Sequence, residues 1–379
     1  MRVLLVVSTL RPVTGWGTYG LNTVRGLRNR GHTVQALVHE TGEENNKYAV
    51  LPEPHHLLGS PLLWLRTAWA IRRAIQQFQP DIVHILVEPY ALVMPFVSMM
   101  TRKMPPWVLS LNGTYSVTPL YDIRTRRIFC AAYRKASKIL IPSAYTGKRA
   151  QAAVHERCGK ACATHILSKM VHFRLGIENV DRTSRNTDEH RKHILYVGGI
   201  KPRKGIAEIV SACAEFRKIS RIPFHLHLVG TLPNDRYARN VQHQVASLGL
   251  QSQVTFHGHI DHEKLEKLYN RSDLFIMLSK SHGHHFEGFG LVFLEANIRG
   301  IPTIGPMGSG CVEAINDGIS GFIVNPDDPM EVAKNMQRIL EENKIDPEQC
   351  RRWALQHSID QQVATFERIY EETLQSRLR

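Results

Sequence analysis

The chain has no long apolar run. The longest, Ala91 to Met100, falls short of the roughly 20 residues needed to span a bilayer and reads as a buried helix. A cysteine framework is missing as well. Six cysteines, at 130, 158, 162, 213, 311 and 350, lie scattered through 379 residues, which argues against a disulfide scaffold. Acidic residues are in deficit, 34 against 48 Lys+Arg, for a formal net charge of +14. That balance favours polyanionic partners or an anionic membrane surface. Zinc-finger spacing and the aromatic-basic motif of RNA-binding sheets are both absent, which argues against nucleic acid. No short-period repeat or low-complexity tract occurs. The N-terminus, Met1 to Ser8, has an apolar run of only five residues and reads as a first strand, not a signal peptide. The expected location is cytoplasmic, or peripheral on the inner face of the membrane.

Hydrophobic residues make up 43% of the chain, enough for two sizeable cores. In the first half, strands alternate with helices. Val3–Ser8 reads as a strand, followed by a loop with Gly15, Gly17 and Gly20 and a helix through Leu21, Val24 and Leu27. Further strands are expected at His32–His39, Ile82–Val87, Trp107–Leu111 and Ile139–Ser143, with a helix over Leu62–Ile75. The polar run 181–192 reads as a linker. The pattern restarts at His193–Val197, followed by a basic glycine loop, Gly198 to Gly205, and a helix from about Ile206. Strands are expected at His225–Val229, Val254–His257, Leu274–Leu278, Pro302–Ile304 and Gly321–Val324, with a helix over Leu291–Arg299. This is an α/β chain of two doubly wound domains, 1–180 and 193–345, with a cleft between them. Helices at 346–379 are expected to pack back toward the first domain. In such sheets ligands bind beyond the C-terminal ends of the strands.

The most informative stretch is Glu287-Gly288-Phe289-Gly290-Leu291-Val292-Phe293-Leu294-Glu295. With a helix starting near Leu291, Glu287 sits in the loop feeding it and Glu295 one turn inside. The loop then offers backbone N–H groups and the helix its positive end, which suits a phosphorylated ligand whose hydroxyls need acceptors. An acidic surface helix behind a glycine turn would look the same.

Taken in order, the motifs resemble the retaining glycosyltransferases of family 4, which have the GT-B fold. They are Gly15-x-Gly17-x-Tyr19, Tyr196-Val197-Gly198 through Lys204-Gly205, the paired glutamates Glu287 and Glu295, Gly300-Ile301-Pro302, and Glu313-x3-Asp317-Gly318-x2-Gly321. The resemblance implies two Rossmann-like domains, with a nucleotide-sugar donor held mainly by the second and the acceptor by the first. It also implies retention of anomeric configuration and no metal or cofactor.

Carried over residue by residue, the resemblance gives Lys204 the donor diphosphate, where a fixed cation stabilises the charge gained by the leaving group. Glu295 is expected on the ribose hydroxyls, and Glu287 near the donor sugar and the anomeric carbon. Gly288, Phe289, Gly290 and Leu291 would contribute backbone N–H groups, and Gly258 and Ile260 would read a uracil or guanine base. Gly17 would approach the donor phosphates. Relatives carry arginine where this chain has Gly199, so Lys201 or Arg203 is expected to supply that charge. They also often carry histidine where this chain has Asn112, which is placed at the reaction centre with Lys204 and Glu287. Tyr19, Asn112 and Tyr115 are expected on the acceptor side. The implied partners are a UDP- or GDP-sugar and a glycan or glycolipid acceptor of polysaccharide or lipopolysaccharide assembly, with mannosyl or glucosyl transfer leading. A small soluble acceptor and a catalytically weak binding subunit are the rivals.

Three clusters stand apart. His155, Cys158, Cys162 and His165 have helical spacing that could share a zinc face, although the alanines around them favour close packing. His282, His284 and His285 precede Glu287 and suit contact with sugar or acceptor better than a metal. Arg66, Arg72, Arg73, Arg124, Arg126, Arg127, Arg134, Lys135 and Lys138, interleaved with Trp64, Trp69 and Tyr133, could form a patch against anionic membrane.

Overall fold

The computed structural model describes residues 1–12, 14–40, 51–180 and 190–378. The polar linker expected over 181–192 therefore falls mostly outside the described residues. The chain forms two compact units: Met1–Glu178 with His357–Arg379, and Asn179–Gln356.

The first unit is a six-stranded parallel sheet. Its strands are β1 (Arg2–Val6), β2 (Thr33–Leu37), β3 (Ile82–Ile85), β4 (Trp107–Ser110), β5 (Lys138–Ile141) and β6 (Met170–His172), in the order β2-β1-β3-β4-β5-β6. The central strands β1, β3 and β4 are buried apart from Arg2 and mostly apolar, with His84 and Ser110 as buried polar exceptions, as covering of both faces demands. Helix α1 (Gly15–Asn29) is capped by Thr14, whose hydroxyl accepts from the Gly17 N–H. The helix thus begins at Gly15, and the glycine loop expected over 15–20 is its first turns. Short α2 (Pro54–Gly59) runs into α3 (Pro61–Phe78), and α4 (Met94–Met100) packs beside α3.

The helix Ile359–Leu378 completes this unit. Gly176 meets its start so closely that a Cβ there would lie 2.6 Å from the Ser358 carbonyl oxygen. The Gly176 N–H donates to Gln362 Oε1 at 2.7 Å. Farther along, Glu367 accepts from Arg30 at 2.7 Å and pairs with His32 at 2.6 Å. The preceding helix, Pro347–Leu355, stays in the second unit.

The second unit holds β7 (Lys192–Val197), β8 (Phe224–Val229), β9 (Val254–Gly258), β10 (Leu274–Ile276), β11 (Thr303–Pro306) and β12 (Gly321–Val324), all parallel, in the order β12-β11-β10-β7-β8-β9. That is the Rossmann order. One face carries a row of imidazoles: His193 Nδ1 lies 3.0 Å from His227 Nε2, and His227 Nδ1 lies 2.9 Å from His257 Nε2.

Two of the six cysteines are paired. Cys130 and Cys158 form a disulfide, joining the helices Arg126–Lys135 and Ala144–Arg157. Cys158 is thereby taken out of the His155, Cys162 and His165 set. Among the described residues, no group of three His, Cys, Asp or Glu side chains is placed to hold a metal ion.

Candidate active site

In the second unit the strand order reverses between β7 and β10, which opens a crevice beyond their C-terminal ends. The loop after β7 and the loop after β10 meet there. Gly205 lies at φ +73°, and a Cβ on it would stand 2.0 Å from the Leu278 carbonyl oxygen, so only glycine allows this approach. The Lys280 N–H donates to the Arg203 carbonyl at 2.8 Å and ties the loops together.

This contact brings Lys204, Arg203 and Glu287 to one point. Lys204 Nζ lies 2.6 Å and Arg203 Nη1 2.7 Å from the same oxygen, Glu287 Oε2. The side chains are mostly buried, with 17%, 29% and 18% exposed. Burial pushes the Glu287 carboxyl upward, but the adjacent ammonium and guanidinium outweigh it and hold the pKa at about 2. Glu287 is an anion throughout the working range, and the triad carries one net positive charge. Ser279 Oγ, buried in the loop after β10, has no hydrogen-bond partner.

The helix Leu291–Asn297 starts after Gly290, which has φ +88° and gives no side-chain cap, so the first N–H groups have no side-chain partner. Gly288 and Phe289 are buried in the loop before it, and Leu291 is half-buried at its start. Glu295 sits in its second turn, half-buried, where the Tyr269 hydroxyl donates to it at 3.3 Å. Burial raises its pKa, and nearby Arg299 opposes the rise.

Lys201 is exposed, and its Cε lies 3.6 Å from where a Gly199 Cβ would stand. Lys201 therefore covers the Gly199 position, whereas Arg203 is engaged with Glu287. Gly258 ends β9 at φ +66° and its carbonyl accepts from the Gly230 N–H at 2.9 Å; Ile260 follows, half-buried. His282 and His285 exchange backbone hydrogen bonds at 2.9 Å, a tight turn that aims the chain into Phe286 and Glu287.

In the first unit the order reverses between β1 and β3. A residue that the sequence reading missed lies here. Glu88, just after β3, is fully buried, and it accepts from Asn112 twice: from the backbone N–H at 2.5 Å and from Nδ2 at 3.2 Å. Burial lifts the Glu88 pKa to about 7 against these bonds. Asn112 Nδ2 also donates to the Leu86 carbonyl at 2.7 Å. Both amide hydrogens are thus engaged, and the amide oxygen is the group Asn112 has to offer a ligand.

Tyr115 is half-buried, and its hydroxyl pairs with His55 Nδ1 at 2.7 Å. Its ring lies 5.3 Å from Trp16, which is itself 5.8 Å from His55. Neither Trp16 nor His55 was expected at a site, since each is a lone aromatic residue in a different segment. Two expectations are corrected here. Tyr19 does not face an acceptor: it is 2% exposed, and its hydroxyl meets Ser110 Oγ at 2.8 Å. Ser110 continues through His84 to the Tyr370 hydroxyl. Gly17 has no free amide for a phosphate, because its N–H is bound to Thr14, and a Cβ there would stand 1.9 Å from the Arg11 carbonyl oxygen. Its role is close packing of α1 on that loop.

The comparisons decide the family. A family described as glycosyl transferases group 1 matches residues 178–357, and one described as glycosyltransferase family 4 matches residues 13–158. The chain belongs to the group 1 glycosyltransferases. This glycosyltransferase is 21% identical over 353 residues to N-acetyl-alpha-D-glucosaminyl L-malate synthase of Bacillus anthracis, covering 91% of this chain and 89% of that one. With an uncharacterized glycosyltransferase of Methanocaldococcus jannaschii it shares 29% identity over 159 residues, 42% of this chain and only 38% of the relative. Its fold matches that of the Anabaena protein HepE in complex with UDP and glucose, with a TM-score of 0.73 at 18% identity, covering 99% of this chain and 100% of that one. The glycosyltransferase thus has the GT-B fold, built of two doubly wound α/β units.

Proposed function

We propose that this enzyme transfers a hexosyl group, of the mannose or glucose type, from a UDP- or GDP-sugar to a hydroxyl of a glycan or glycolipid, with retention of anomeric configuration. The observation that carries the reading is the convergence of Lys204 and Arg203 on Glu287 at the β7–β10 crevice. Two fixed cations suit a diphosphate that gains charge as its bond to the anomeric carbon breaks. Glu295 has the acceptor oxygens for vicinal ribose hydroxyls. Gly288, Phe289, Gly290 and Leu291 line the start of its helix, and Gly258 and Ile260 belong to the base side of the donor site. Lys201, beside Gly199, supplies the third positive charge. The UDP and glucose bound to the Anabaena neighbour support a uridine donor.

In the proposed step, the acceptor oxygen attacks the anomeric carbon from the face the phosphate leaves. The carbon–oxygen bond to phosphate breaks, and the acceptor proton passes to the departing phosphate oxygen. Glu287 stabilises positive character on the sugar and forms no bond to it. In the first unit, Asn112 accepts from a sugar hydroxyl, and Trp16, Tyr115 and His55 offer ring faces to the acceptor. A second reading, a nucleotide-binding subunit with little turnover, draws on Gly199 and Asn112, where relatives carry charge-bearing side chains.

Incubation with UDP- and GDP-hexoses, followed by nucleotide release and by the anomeric coupling of the product, tests the proposal. Release with retained configuration is expected. Inversion would overturn the mechanism, and tight nucleotide binding without turnover would favour the second reading.

A further inference from the structure

The exposed surface of α3 and α4 has a composition the donor and acceptor sites do not explain. Among the described residues, ten large hydrophobic side chains are exposed, and five of them lie on these two helices: Leu62, Leu65, Trp69, Met99 and Met100. Leu62 is 81% and Met99 78% exposed. On α3 the exposed positions 62, 65, 66, 69 and 73 form one stripe at helical spacing. The two helices pack together, and Arg72 Nε donates to the Met100 carbonyl at 3.0 Å across the seam. The patch expected from sequence is therefore relocated. Tyr133 is buried with its hydroxyl on the Ser116 carbonyl, Trp64 gives its N–H to the Leu57 carbonyl, and Arg124 is paired with Asp122.

The charge on this face has one sign. Arg66, Arg72 and Arg73 lie on α3, Arg102 and Lys103 follow α4, and residues 54–80 and 89–121 contain no Asp or Glu. Arg73 lies over the Trp69 ring, 5.6 Å from its centroid. No helix among the described residues is long and apolar enough to cross a membrane. We propose that α3 and α4 dock this enzyme on the surface of an anionic lipid bilayer, with Leu62, Leu65, Trp69, Met99 and Met100 in the acyl boundary and the arginines at the headgroups.

The chemistry selects lipid over the other occupants. A polyanion in solution would use the arginines but gain nothing from five exposed apolar side chains. A second copy packed by two-fold symmetry would set this arginine-rich face against itself. A bilayer satisfies both components, since its headgroups are anionic and its interface takes up apolar side chains and the amphipathic rings of tryptophan. The inference rests on the glycolipid-acceptor reading for its purpose, but its physical basis is independent of the reaction.

Co-sedimentation of the full chain with phosphatidylcholine vesicles, with and without phosphatidylglycerol, tests it. Binding is expected only with phosphatidylglycerol, weakened by salt and accompanied by a blue shift of tryptophan emission. Arg66→Glu/Arg73→Glu and Leu65→Glu/Trp69→Glu should each reduce binding roughly tenfold or more, with the melting temperature and UDP or GDP binding unchanged. Absence of binding to anionic vesicles, or binding by both variants as strong as that of the unaltered chain, would overturn the proposal. So would dimerisation in solution that the same variants abolish. Nucleotide binding measured on the same samples separates this failure from failure of the transferase reading.

Discussion

Glu88 takes both the backbone and the side-chain amide hydrogens of Asn112. The carboxylate thereby decides which end of the Asn112 amide is presented, and it is the oxygen. Glu88→Gln keeps the volume but sets a donor against Asn112 Nδ2. Above pH 7, where Glu88 is mostly ionised, loss of a charged hydrogen bond of about 1.5–3 kcal/mol predicts a fall in kcat of roughly tenfold to a hundredfold, with donor affinity unchanged. A matching loss of nucleotide binding would refute a positioning role for Glu88.

Lys204 and Arg203 share Glu287 Oε2, so the carboxylate partly neutralises the two cations proposed to hold the diphosphate. Lys204→Ala should weaken UDP or GDP binding by about tenfold to a hundredfold. Glu287→Gln should do the reverse for the free nucleotide, tightening it by about threefold or more while turnover falls. Calorimetric titration of both variants reads the two signs. Equal weakening in both would mean that the triad acts as a structural clamp.

Gly199 leaves room for a side chain, since a Cβ there meets only Lys201 Cε at 3.6 Å and its φ lies outside the left-handed region. Gly199→Arg should therefore fold and add a bidentate phosphate contact. The expected gain in nucleotide affinity is about tenfold. An unchanged Kd would show that the loop does not face the diphosphate.

The imidazole row predicts acid sensitivity. Burial lowers the pKa of His227 to about 3 and also lowers those of His225 and His257, with neighbouring positive groups adding to all three shifts. In the first unit, burial lowers His84 to about 3. Below the ordinary value of about 6.5, the unfolded chain binds protons that the folded chain refuses, so stability falls as pH drops from 7 toward 5. Glu88 has the opposite sign: with a folded pKa of about 7 against 4.5, its contribution is present below 4.5 and lost as pH rises through 7. The melting temperature should drop between pH 7 and pH 5 in wild type and less in His227→Gln. Equal drops would remove His227 from the account.

The strands were legible because buried parallel strands are short apolar runs, as in Val3 to Val6 and Leu274 to Ile276. Lys204 and Glu287 could be singled out because each lies in a local glycine-bearing motif, and the structure sets them 2.6 Å apart. Edge strand β6 was missed: it has three residues, none of them buried. The helix Arg236–Ser247 was missed because it buries only Ala238, Val241 and Val245. Treating Gly15 to Gly20 as loop ignored the Thr14 cap, and with α1 starting at Gly15, Tyr19 falls on its buried face. Glu88 could not be read at all, since its partner, 24 positions away, depends on β3 lying beside β4.

The C-terminal helix sets an order of assembly. The second unit is one unbroken stretch, Asn179–Gln356, whereas the first needs both ends of the chain. Val363, Phe366 and Tyr370 are buried there, and Tyr370 supplies the hydroxyl that His84 Nδ1 meets at 2.6 Å. During synthesis the unit begun first keeps an open core until the helix Ile359–Leu378 is made. A stop placed after Gln356 would therefore damage the unit encoded at Met1–Glu178 while leaving the second unit's own stretch whole.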